Sequence, residues 1–108
     1  MPAYVVVNVT VRDPARYEEY KRLAFPTVGA YGGHYLARGA PVDLREGDWS
    51  PSRLVILEFP DLERARAWWS SPEYAPARAV RQSCADTQLV ITEGVPGRIM
   101  GDGSARSA

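Results

Sequence analysis

The chain has 108 residues and a mass of 11.9 kDa, enough for one domain and too short for two. Its 13 Lys and Arg balance 13 Asp and Glu, which removes any general electrostatic attraction to nucleic acid or an anionic membrane. The 45% hydrophobic content is that of a folded globular protein, and the longest apolar run, Ala3 to Val7, is far too short to span a bilayer. The single cysteine, Cys84, can form no internal disulfide, and the N-terminus has no signal-peptide pattern. Both predict a cytoplasmic protein.

Residues 4–11, YVVVNVTV, alternate as a strand, with Val5, Val7, Val9 and Val11 on one face and Tyr4, Val6, Asn8 and Thr10 on the other. Asp13 before Pro14 is a cap-and-start signal for a helix that carries Tyr17, Tyr20, Leu23, Ala24, Thr27, Val28 and Tyr31 at helical spacing. Glu18 stands four residues before Arg22, as an ion pair would require. Pro26 cannot donate to the Arg22 carbonyl, so a kink or restart is expected there, and Gly32-Gly33 ends the helix. His34 to Arg38 reads as a short second strand, residues 40–51 as a loop, and 53–59, RLVILEF, as a third strand stopped by Pro60. Asp61 caps a second helix to about Ser70, with Leu62, Ala65 and Trp69 on one stripe and Trp68 beside it. Ser71-Pro72 repeats the cap-then-proline pattern, and Tyr74, Ala77 and Arg81 share one side of the helical segment that follows. Residues 88–93, QLVITE, form the last strand. The domain thus covers residues 1–95, and 96–108, without aromatics or periodicity, are expected to be a flexible tail.

The order β-α-β-β-α-β specifies an α+β, ferredoxin-like protomer: a four-stranded antiparallel sheet with its helices on one face. The other face carries Val6, Leu36, Leu54 and Ile56, which is too apolar to leave wet. Two such sheets meeting face to face in a homodimer resolve the problem.

The segments AYVVVNVTVRDPARYEEY, YGGHYLARG, EGDWSPSRLVILEFPDLERARAWW and SPEY, with a closing EG, resemble the family known as domain of unknown function 1330. The resemblance covers residues 2–95. It implies membership of the dimeric α/β-barrel superfamily, whose members include cofactor-independent monooxygenases, haem-degrading oxygenases and lactone isomerases, and it supplies no reaction. The six-residue spacing of Trp68 and Tyr74 is similar to that of a cavity-lining Trp and Tyr in superfamily monooxygenases. A haem-degrading relative would need an Asn on the helix-facing side of the first strand, where Asn8 has the opposite parity.

Strand parity expects Asn8, His34, Arg38 and Glu58 together on the barrel-facing side, with Arg38 the bidentate partner of Glu58. In one reading the pair is an acid/base carboxylate oriented by a guanidinium; in the other it is an ion pair fixing dimer register. The aromatics Tyr17, Tyr20, Tyr31, Trp68, Trp69 and Tyr74 either line a flat pocket or fill the core. Trp49, in a loop, either covers a pocket mouth or packs on a partner. His34 is the single histidine and is expected at a strand edge, so no multi-histidine metal site arises, and Cys84 reads as an inert buried thiol. No nucleotide-binding or metal-binding motif occurs, so neither cofactor is expected. Two functions fit: a homodimer that binds or transforms a small aromatic or carbonyl-containing metabolite, or a non-catalytic homodimeric module. A cavity of several hundred Å³ reached by at least two of Tyr17, Trp68 and Tyr74 separates them.

Overall fold

Strand β1 (Ala3–Val11) is central, flanked by β3 (Leu54–Phe59) on one side and β4 (Ala85–Glu93) on the other. The short β2 (His34–Arg38) lies outside β3. The computed structural model describes residues 1–96, so the expected tail beyond Pro96 lies outside them. All pairings are antiparallel, in the order β2-β3-β1-β4. Three helices, α1 (Pro14–Ala30), α2 (Leu62–Ser70) and α3 (Ala75–Cys84), complete the ferredoxin-like α+β domain. Among the described residues no helix is long and apolar enough to cross a membrane.

The period-2 pattern decides which face is buried. Val5, Val7 and Val9 are buried, together with their neighbours Val55 and Leu57 across β3. Removing each valine from water contributes about 1.5–3 kcal/mol. The opposite face is apolar and partly open. It carries Val6 between Ile56 and Val90, and Asn8 between Leu54 and Gln88.

Asp13 caps α1 by accepting from the Arg16 N–H, and Asp61 caps α2 by accepting from that of Arg64. Several local expectations are corrected. Helix α1 runs through Pro26 to Ala30 without a restart, and Glu18 pairs with Lys21 at 2.7 Å and not with Arg22. Ser71-Pro72 opens a turn, in which Ser71 Oγ accepts from the Tyr74 N–H, and α3 begins only at Ala75. Strand β4 starts at Ala85, three residues earlier than the sequence pattern suggests, because the Cys84 carbonyl already accepts from the Arg12 and Asp13 N–H groups. On α2 the buried indole is Trp68, while Trp69 is exposed beside Arg78.

Candidate functional site

A narrow slot lies between the helices and the buried face of the sheet. Its floor is Val7, Val9, Val55, Leu57 and Leu89, and its walls are Tyr17, Tyr20, Trp68 and Tyr74. Each wall residue is held. Trp68 donates its indole N–H to Thr27 Oγ1 at 3.0 Å, and Thr27 in turn donates to the Ala24 carbonyl. Trp68 and Tyr74 meet at 4.2 Å between ring centroids, tilted by 35°, and Tyr17 and Tyr20 at 5.2 Å, tilted by 34°. The hydroxyls of Tyr20 and Tyr74 are 2.9 Å apart, and Arg81 Nε donates to the Tyr74 oxygen at 3.4 Å. Burial pushes the phenols of Tyr17, Tyr20 and Tyr35 above their ordinary range, so all three stay neutral near pH 7.

Lys21, Arg38 and Arg53 form the rim, and among the described residues no carboxylate lines the slot. The same three cations line an adjoining surface groove of about 730 Å³, with Arg22, Phe25 and Glu18. Arg53 lies over Tyr17, and its Nε is buried without a partner among the described residues. Gly39, at φ 85°, permits that placement, since a side chain there would overlap the Arg53 guanidinium. The slot itself has a volume of about 20 Å³, room for one water.

Arg38 and Glu58 do not pair. His34 is opposite Glu58 and Tyr35 opposite Leu57, but Ala37 is then opposite Ile56 and Arg38 opposite Val55. The extra residue, Leu36, is a β-bulge that reverses the parity of everything after it. Arg38 therefore turns to the helix side, with its guanidinium 4.3 Å from the Tyr35 ring centroid and 5.2 Å from that of Phe25. Glu58 remains on the open face of the sheet. Its Oε1 is 3.0 Å from His34 Nε2, and its Oε2 accepts from the Tyr4 hydroxyl at 3.1 Å.

The candidate residues thus divide. Tyr17, Trp68, Tyr74 and Arg38 meet at the slot. Asn8, His34 and Glu58 lie on the opposite face, where His34 and Glu58 border a second cavity of about 320 Å³ with Met1 and Pro60. Trp49 is exposed in the loop and lines none of these spaces. Lys21, Arg53 and Arg81 were not singled out by sequence reasoning as site residues. Arg81 did carry a signal, an arginine on the same helical side as Tyr74 and Ala77. Among the described residues no three His, Cys, Asp or Glu are grouped to hold a metal, and burial pushes the Cys84 thiol up, which keeps it protonated.

Comparison with solved structures supports the fold. RPA0582 of Rhodopseudomonas palustris, a protein of unknown function, superposes with a TM-score of 0.72 at 20% identity over 87% of this chain and 82% of that one. SnoaB of Streptomyces nogalater, a cofactor-independent oxygenase, gives 0.62 at 16% identity over 94% and 98%. A dimeric ferredoxin-like protein of unknown function from Thermobifida fusca gives 0.62 at 19% identity over 87% and 92%. No curated protein matches the chain. The family model for the domain of unknown function DUF1330 matches residues 2–95, and the chain belongs to that family.

Proposed function

We propose that the protein is a cytoplasmic homodimer that binds, and through the same slot transforms, a small aromatic or carbonyl-containing metabolite without a metal or nucleotide cofactor. One observation carries this reading: five aromatic residues and three rim cations converge on one slot that, among the described residues, no carboxylate lines. Rings accept a planar ligand by stacking, and Arg38, Arg53 and Lys21 attract an anionic substituent at the rim. The oxygenase activity named for SnoaB, on the same fold, is compatible with chemistry in such a slot. Dimerisation is supported by the apolar face of Val6, Leu54 and Ile56 and by the dimeric Thermobifida fusca relative.

A second reading, the non-catalytic homodimeric module, has the slot's volume in its favour, since about 20 Å³ admits no metabolite without movement. The rim is where movement costs least. Arg38 is exposed, Lys21 and Arg53 are partly so, and swinging them outward joins the slot to the groove they share. Glu58 and Arg38, separated by the sheet, cannot act as one acid/base pair, and Glu58 is assigned to the dimer-facing surface.

Thermal melts with a panel of small aromatic carboxylates and their amides test the slot. Saturation at about 100 times Kd stabilises the folded state by about 2.7 kcal/mol. The carboxylates are expected to raise Tm more than the amides, and Arg53→Ala to erase the difference. Melts unmoved by every member of the panel favour the module.

A further inference from the structure

Arg81 is buried, with 4% of its surface exposed, yet no carboxylate pairs with it among the described residues. A buried guanidinium is costly unless something compensates its charge and fills its donor positions. Its neighbours are phenols: Tyr74, which accepts from Nε, and Tyr20, whose ring centroid is 5.8 Å from the guanidinium carbon. Tyr20 and Tyr74 both line the slot, whereas Arg81 stands behind them.

The hydroxyl protons of this trio do not balance. Each phenol carries one proton, and one of the two closes the 2.9 Å bond between the oxygens. Arg81 donates into the pair and accepts nothing, so the remaining O–H has no acceptor within the trio. Among the described residues neither hydroxyl has a hydrogen-bond acceptor outside the pair. The pair therefore keeps one O–H without a protein acceptor at the slot wall, backed by a fixed positive charge.

Resting on the slot reading above, we propose that Arg81, Tyr74 and Tyr20 form an oxyanion-holding end of the slot, and that its ligand carries a weakly acidic oxygen, a phenol or an enolisable carbonyl, bound as the oxyanion. The spare O–H donates to that oxygen. Arg81 is a positioning residue that acts through Tyr74, adding positive potential where the ligand's negative charge resides.

The test uses 4-nitrophenol, whose neutral and ionised forms differ in visible absorbance, while quenching of tryptophan fluorescence reports binding separately. At a pH one unit below its own pKa, the probe bound to the wild-type protein is expected to show about a tenfold rise in its ionised-to-neutral ratio. Tyr74→Phe and Arg81→Met should return the ratio towards that of free probe, and Arg81→Lys, which keeps the charge, should retain part of the rise. Should Arg81→Met fail to fold, Tyr74→Phe decides. Binding by the wild type without a rise overturns the oxyanion proposal and leaves the slot standing. A rise that survives Tyr74→Phe also overturns it, assigning the effect to the rim cations. Absence of binding overturns both.

Discussion

His34 and Glu58 face each other across β2 and β3, with Nε2 and Oε1 3.0 Å apart, on the sheet face away from the helices. The Tyr4 hydroxyl reaches the second carboxylate oxygen from β1, so this carboxylate links three adjacent strands. Arg38 lies on the other face, so the energetics of the two residues should be independent. In double-mutant cycles His34→Ala with Glu58→Gln should show coupling of about 0.5 kcal/mol, a small value because the imidazole is 61% exposed. Arg38→Ala with Glu58→Gln should be additive. Strong coupling in the second cycle would contradict the bulge at Leu36.

The face carrying His34 and Glu58 also carries Val6, Leu54 and Ile56, and in the proposed homodimer a second copy covers it. Sedimentation at micromolar concentration should show a dimer. Ile56→Asp should dissociate or unfold it, since an unpaired carboxylate would enter an apolar interface. A wild-type monomer would contradict this assembly.

Thr27 tests how Trp68 is held. The indole N–H is buried and donates to Thr27 Oγ1. Thr27→Val keeps the shape and removes the acceptor, which should cost about 1–3 kcal/mol, whereas Thr27→Ser should cost less. Thermal melts separate the two by several degrees.

Stability should fall at alkaline pH. Burial raises the phenols of Tyr17, Tyr20 and Tyr35 above the ordinary value of 10.0. A group whose folded pKa is raised contributes stability that is fully present below the unfolded pKa and is lost as pH rises through the folded one. Above about pH 10 the unfolded chain releases protons that the folded chain retains, so stability declines from there. Tyr20→Phe should flatten the decline, which melts between pH 8 and pH 11 would reveal.

Much of the fold was legible because β1 obeys a strict period of two and both Asp caps stand directly before their helices. Arg38 was not legible. No glycine or proline marks the bulge at Leu36, and a single inserted residue reverses strand parity. Trp68 was singled out over Trp69 by its six-residue spacing to Tyr74, but what holds it was hidden, since its partner Thr27 is 41 residues away. The early start of β4 depends on backbone bonds from Arg12 and Asp13, which no local pattern in residues 85–87 announces. The aromatic composition of the slot was visible as helical spacing, but its cationic rim required the tertiary meeting of α1, β2 and the residue before β3.

The central claim is that the aromatic slot is a binding site and not a gap in a filled core. A crystal structure of the protein soaked with 4-nitrophenol tests it most directly. The expected result is the ring seated among Tyr17, Trp68 and Tyr74, its phenolic oxygen at the Tyr20 and Tyr74 hydroxyls, and Arg53 swung into the groove. A slot still of one-water size at saturating probe, with Arg53 lying over Tyr17 as before, would contradict it.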